Sequence, residues 1–330
     1  EHKALHERAI ANRSKLLVGN DTLELDSWQQ DLEKNGEAWT VDDVISIREQ
    51  LGLLNPTIID CTTDEELAMQ YSSFLANGFN VVAANKKANT ASMDYYHEMR
   101  ATAARHFRKF MYETNVGAGL PFIDTLQSLI RSGDQPKTFG GILSGSLSMI
   151  FGLLEDGVPF SSAVEKAMQL GFTEPDPRDD LSGMDVARKL TILARELGID
   201  LEIGDFPVRS LVPEALQACS IDEFLDRLPE YDEELEALYR KAADDDKQLR
   251  YVATLDAAGN AAVGLEAVDA SHPFCNINLT DNIVQFESAR YSENPLVIQG
   301  PGAGPEVTAG GVFSDLLRLA NYLSKGLGYV

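Results

Sequence analysis

The stretch GFTEPDPRDDLSGMDVARKLTILA, residues 171–194, combines two local structures with the densest chemistry in the chain. Its first half, 173–180, carries Pro175 and Pro177. Each proline fixes its own φ and biases its predecessor towards extended backbone, so this half is expected to be a non-helical acidic loop. The second half is expected to be a helix. Ser182 is the expected N-cap, with Asp185 three residues on in the place of a capping-box acid. Val186, Leu190, Leu193 and Leu197 recur at helical spacing and form a buried stripe. Asp185 and Lys189 are four apart, so they share a face, and that face lies on the flank of the stripe. A charged pair at the border of a buried face is placed to line a cleft. By spacing alone the commoner reading is an exposed helix pair, worth a few tenths of a kcal/mol. Glu174, Asp176, Asp179 and Asp180 likewise read, one by one, as a solvated acidic turn. Only the string read whole favours a site.

Composition bounds the rest. A chain of 330 residues suggests two domains, and 44% hydrophobic content is enough to fill their cores. The net charge of -24 argues against a nucleic-acid partner, which needs a basic surface, and leaves small-molecule substrates open. Cys61, Cys219 and Cys275 are odd in number and far apart, with no zinc-ligand spacing, and the five histidines form no ligand cluster. A reducing, cytoplasmic compartment is expected. No apolar run is long enough to span a bilayer, and the polar start is not a signal peptide.

Working towards the N-terminus, 56–61 (PTIIDC) and 79–83 (FNVVA) are expected strands, with a helix over 64–77 between them that Gly78 closes. Another helix is expected from near Thr90, and a further strand over 110–114. This alternation predicts a parallel βαβ sheet, whose ligands sit beyond the carboxyl ends of the strands. That rule singles out Thr62, Thr63, Asn85 and Lys86. Residues 7–12 (ERAIAN) are a possible strand running into Arg13, Ser14 and Lys15. These three could seat the 2′-phosphate of NADP or form a plain basic turn. No G-x-G-x-x-G precedes residue 60, so the chain is expected to begin after the first strand and its glycine loop.

Towards the C-terminus the pattern changes. The loop NVGAGLP (115–121) exposes bare backbone at its glycines. Helices are expected over 123–131, from SGSLS (144–148) through Leu154, and over 161–170. Residues 220–249 read as a solvated, acidic helical excursion split by Pro229. Two strands, 250–255 and 261–268, flank a hairpin turn, and 283–289 and 296–300 add two more. The ending, GPGAGPEVTAGGVFSDLLRLANYL, is a glycine loop opening a helix near Val307.

NKKANT (85–90), NVGAGLP (115–121), GILSGSLSMIFG (141–152), GFTEPDPRDDLSGMDVARK (171–189) and GAGPEVTAGGVFSDLLR (302–318) together resemble homoserine dehydrogenase, in that family's order. Details such as LDSWQQDL resemble the bacterial bifunctional type, in which an aspartokinase is fused ahead of the dehydrogenase. The resemblance implies an α/β fold: an incomplete Rossmann-like nucleotide domain (1–114 and 301–330) plus an α+β catalytic and dimerisation domain (115–300). It implies reversible reduction of L-aspartate 4-semialdehyde to L-homoserine, with NADP(H) favoured over NAD(H), by a homodimer or higher homo-oligomer.

The resemblance also implies roles. Lys189 is the acid/base lysine, and Lys86 is a second lysine between cofactor and substrate. Glu174, Asp179, Asp180 and Asp185 bind substrate. Thr62 and Gly304 contact the cofactor. Glu113, with the carbonyls of Val116, Ala118 and Leu120, holds a structural sodium ion. The competing reading is a non-catalytic fragment or paralogue that keeps the fold for dimerisation or interaction.

Overall fold

The computed structural model describes residues 5–278 and 280–326. Near its start, β1 (Ala9–Ala11) and β2 (Leu16–Val18) form an antiparallel hairpin. Arg13, Ser14 and Lys15 make its turn, where Asn12 Oδ1 accepts the backbone N–H of Ser14 and Lys15 at 3.0 and 2.8 Å. The turn lies outside the parallel sheet, and Lys15 pairs with Glu33 at 3.0 Å.

The parallel sheet is β3 (Thr57–Asp60), β4 (Asn80–Ala83) and β5 (Phe110–Met111), in that order. β4 is buried throughout, as a central parallel strand must be. The β3–β4 crossover is two short helices, Glu65–Ala68 and Tyr71–Ala76, where a single one was expected. Ser92 caps the helix Met93–Arg105 that leads to β5. The strand expected over 110–114 is only two residues long, and 113–115 turn instead into a 3-10 helix. Side chains supply the bonds a ladder would have made: Asn115 Nδ2 donates to Ala83 O, and the Glu113 N–H donates to Asp315.

The second sheet is antiparallel throughout: β6 (Pro136–Ile142), β7 (Lys247–Leu255), β8 (Ala261–Asp269), β9 (Asp281–Ser288) and β10 (Leu296–Pro301). Its order is β10-β9-β6-β7-β8. Strand side chains alternate between faces. Tyr251 and Ala253 join a large core with Phe151, Val186, Leu190 and Leu193, while Val252 packs with Ile142, Phe274 and Ile283 in a separate cluster. Helix Met184–Glu196 therefore rests its apolar stripe on this sheet's inner face. The acidic excursion is helical, as Ile221–Arg227 and Asp232–Asp244, with Pro229 in the 3-10 turn between them.

From β10 the chain returns to the parallel sheet. Helix Pro305–Gly326 packs Val312 and Leu319 against Val82 of β4. Gly311 allows that approach: a Cβ there would stand 2.5 Å from Thr114 Cγ2.

Candidate active site

Helix Met184–Glu196 does not start as expected. Its N-cap is Gly183 at φ 74°, and the Met184 N–H donates to Ser182 Oγ, one residue before the cap, at 3.3 Å. A Cβ at Gly183 would meet Tyr251 Oη at 1.9 Å, so both backbone and packing demand glycine. Ser182 instead ends a short preceding helix, Pro177–Leu181. That helix corrects the expectation of a non-helical loop through Asp180. Pro177 sits at its first position, where no N–H is needed, and Asp176 caps it.

Released from capping, Asp185 takes two lysines. Its Oδ2 is 2.8 Å from Lys189 Nζ, and its Oδ1 is 2.8 Å from Lys86 Nζ. Lys189 is only 9% exposed, which is not the environment of a surface pair. Its ammonium also donates to the Leu143 carbonyl at 2.6 Å, just beyond the end of β6. Burial pulls the Lys189 ammonium below its ordinary value, with Asp185 opposing. Burial would lift the Asp185 carboxyl, but the charges of Lys189 and Lys86 overcome it and hold that group well below the carboxylate range.

Lys86 is set by the end of β4. Asn85 Nδ2 donates to Asp64 O at 2.7 Å and Asp60 Oδ2 at 3.1 Å, with Thr62 Oγ1 at 3.5 Å. Cys61, Thr62, Thr63 and Asp64 beside it are exposed. Arg195 is on the same helix as Lys189, and its Nη1 donates to Asn89 O and Ala91 O at 2.8 and 2.9 Å. The segment carrying Lys86 is thereby tied to the helix carrying Lys189.

The acidic loop borders this cluster. Asp180 Oδ1 accepts from Ser146 Oγ at 2.7 Å and its Oδ2 from the Glu174 N–H at 2.8 Å. Burial raises the Asp180 carboxyl, and the neighbouring charges of Asp185 and Asp179 add to this. Asp180 is therefore a loop fastener, while Glu174 and Asp179 are exposed and make no ion pair among the described residues.

The glycine loop before the last helix also reaches the site. Gly302 abuts Asn282, whose Nδ2 lies 3.3 Å from the same Leu143 carbonyl that receives Lys189. Gly304 has φ 120° and open space where a Cβ would stand.

Glu113 lies apart from the lysines. Its two oxygens accept the N–H groups of Ile123 and Asp124 at 2.8 and 2.9 Å, capping the helix Phe122–Arg131. Burial pushes its carboxyl up to about 7. Arg318 serves Glu113, Asp315 and Asp124 together. Ala118 takes a left-handed φ of 52° in the loop beside it.

Two cavities lie among the described residues. One of about 960 Å³, under the segment 209–215 and against Leu235 and Leu265, shares no residue with the lysine cluster. One of about 450 Å³ is lined by Asp176, Arg178, Asp179, Ser182 and Met184 and adjoins the acidic loop.

The Leu143 carbonyl, Asn282 and Ser146 were not legible as site residues. A backbone carbonyl has no sequence signature, and the serine sits in a run that reads as a helix start.

The family model described as homoserine dehydrogenase matches residues 121–317, and that described as homoserine dehydrogenase, NAD binding domain, matches residues 3–113. The chain belongs to the homoserine dehydrogenase family. Similar proteins include the chloroplastic bifunctional aspartokinase/homoserine dehydrogenase 2 of Zea mays, 44% identical over 95% of this chain and 35% of its own. The bifunctional aspartokinase/homoserine dehydrogenase of Haemophilus influenzae is 45% identical over 94% of this chain and 38% of its own. The chain thus spans little more than a third of these relatives. Among solved structures, a Candida auris protein of unknown function superposes with a TM-score of 0.90 at 35% identity, covering 95% of this chain and 90% of its own. A hyperthermophilic archaeal homoserine dehydrogenase in complex with NADPH superposes with a TM-score of 0.70 at 21% identity, covering 96% and 88%, which speaks to the shared fold. The family's two-part architecture is the one found here: a parallel sheet followed by an antiparallel one.

Proposed function

We propose that the chain catalyses the reversible reduction of L-aspartate 4-semialdehyde to L-homoserine with a nicotinamide cofactor. The observation that carries this is the buried Lys189, held between Asp185 and the Leu143 carbonyl and facing Lys86 across Asp185. A bound nicotinamide supplies or accepts the hydride. The exposed strand-end residues Thr62 and Cys61 beside Lys86, and the unencumbered backbone at Gly304, fit such a cofactor.

The chain's own groups do the rest. Reduction of an aldehyde builds negative charge on its oxygen. The Lys189 ammonium stabilises that charge and donates the proton, and in the reverse direction it takes the proton back. Asp185 fixes the position of Nζ and opposes the effect of burial on its proton. Lys86 adds a second positive charge at the same carboxylate. The substrate's ammonium group faces Glu174 and Asp179, exposed loop acids that make no ion pair among the described residues.

NADP(H) is preferred to NAD(H) in this reading, with the turn at Arg13, Ser14 and Lys15 as the phosphate contact. The protein works in a reducing, cytoplasmic compartment as a homo-oligomer. The three cysteines are free, and β10 offers an edge strand. No described helix is long and apolar enough to cross a membrane. A sodium ion at Glu113 with the carbonyls of Val116, Ala118 and Leu120 belongs to the same reading. A carboxylate and backbone carbonyls are hard oxygen donors, which suit a hard monovalent cation. Sodium should then raise the melting temperature over an organic cation at equal ionic strength, and Glu113→Gln should abolish the difference.

The deciding test is oxidation of NADPH, and separately NADH, with L-aspartate 4-semialdehyde, and the reverse with L-homoserine. Turnover in both directions is expected. A folded protein that binds neither substrate would leave the non-catalytic reading standing.

A further inference from the structure

Arg178 plays no part in the chemistry above, yet its guanidinium is among the most heavily engaged in the molecule. On one side Nε lies 2.9 and 3.1 Å from the two oxygens of Asp176, and Nη2 lies 2.6 Å from Oδ2. On the other side Nη1 donates to the carbonyl of Cys219 at 2.7 Å and to those of Leu216 and Gln217 at 3.3 Å. Its Cζ stands 5.6 Å from the centroid of the Phe224 ring. These partners belong to different segments. Asp176 is in the acidic loop, while residues 216–219 lead into helix Ile221–Arg227 of the acidic excursion. Only a planar fork of donors reaches both sides at once; a lysine ammonium does not.

Two consequences follow. The hydrogen bond from Arg178 holds the Asp176 carboxyl below its ordinary value, so it stays charged with Arg178 as its partner, which withdraws that acid from substrate binding. Asp180 is already committed to Ser146 and the Glu174 N–H. Of the four loop acids, Glu174 and Asp179 remain to meet a cation. In addition, the clamp fixes the short helix Pro177–Leu181, and Asp179 with it, against a second segment.

We propose that Arg178 is a positioning and specificity-determining residue: it clamps the acidic loop to the carbonyls of residues 216–219, so that Glu174 and Asp179 face the ammonium group of an amino-acid substrate. This rests on the reaction proposed above for the lysine cluster.

The test compares Arg178→Ala and Arg178→Lys with the parent. KM for L-homoserine and for L-aspartate 4-semialdehyde should rise at least about tenfold in each variant, while kcat and the cofactor KM stay within about threefold. Because the cavity of about 450 Å³ adjoins this side chain, guanidinium chloride at tens of millimolar should restore much of the substrate KM of Arg178→Ala. Sodium chloride at the same concentration should not. Amide exchange, measured without substrate, should quicken over residues 172–183 in the variant. Substrate KM values that stay unchanged, or kcat and both KM values collapsing together without guanidinium rescue, would overturn the proposal. If Arg178→Ala does not fold, Arg178→Lys carries the same comparison. If the parent itself shows no turnover, the reaction reading fails. Exchange then decides the clamp alone: quickening confined to 172–183 supports it, and an unaltered pattern refutes it.

Discussion

Lys86 Nζ and Asp185 Oδ1 lie 2.8 Å apart although ninety-nine residues separate them in the chain. The contact joins the carboxyl end of the parallel sheet to the helix packed on the antiparallel one. Both side chains are partly accessible, so the pair itself adds little stability. Its consequence is geometric: it brings the second lysine to the carboxylate that already holds Lys189.

Lys189→Met tests the buried ammonium. Methionine fills much of the same volume and removes the charge. Asp185 keeps Lys86 as a partner, and the stripe of Val186, Leu190 and Leu193 is untouched. General acid–base help is typically worth roughly 10²–10⁴ in rate, so kcat should fall by at least about a hundredfold with little change in melting. A fall of less than about threefold in a folded variant would remove Lys189 from the chemistry.

Asp185→Asn should move the pH dependence in a defined direction. Burial lowers the Lys189 ammonium and Asp185 opposes that. Without the carboxylate the ammonium loses its proton at lower pH still. Reduction needs the protonated lysine, so its rate should begin to fall at lower pH than in the parent, and the rise in oxidation should begin lower as well. A pH profile of kcat in both directions checks this; a limb that stays in place or moves upward contradicts the assignment.

Asp180 gives a second pH effect. Its carboxyl is raised by burial, with Ser146 opposing. The charged form accepts the Glu174 N–H, so the loop should loosen, and substrate KM rise, as pH falls through this raised value. Ser146→Ala removes the opposing hydroxyl, so the rise should start at higher pH than in the parent. Cofactor KM measured over the same range should stay flat. Should the cofactor KM move in parallel, the effect is not local to the loop.

How far the sequence could be read follows from which interactions have periodicity. The βαβ segment was legible because β4 is buried on both faces and reads as an apolar run. The pairing of Asp185 with Lys189 was legible from their spacing, but its burial was not, since spacing alone describes exposed pairs equally well. Pro177 misled because the residue that forbids a helix interior also favours a helix start. Residues 113–115 misled because the Glu113 N–H bonds to the Asp315 side chain and the Asn115 side chain bonds to Ala83 O, contacts distant in sequence that replaced a strand ladder. The contacts of Arg178 with Leu216, Gln217 and Cys219 are to carbonyls, which every residue has, so no pattern announced them.

Gly183→Ala asks whether the start of the catalytic helix matters as the geometry implies. The residue sits at φ 74°, where a side chain costs about 1–3 kcal/mol by backbone strain alone. The added Cβ would also fall 1.9 Å from Tyr251 Oη, and Tyr251 is buried with its hydroxyl donating to Arg209 O at 2.8 Å. Neither partner can move freely, so the helix must shift or the tyrosine must give up its bond. Melting should drop by several degrees or more. Asp185 is two residues further on and Lys189 six, so the same shift should reach the lysine cluster and lower kcat as well. Tyr251→Phe removes the hydroxyl that the new Cβ would strike. In Gly183→Ala/Tyr251→Phe only part of the steric loss should be recovered, because ring Cζ would still stand 2.9 Å from the new Cβ, and the backbone part should remain. A double variant no more stable than Gly183→Ala alone would mean that the Tyr251 hydroxyl does not set the requirement for glycine.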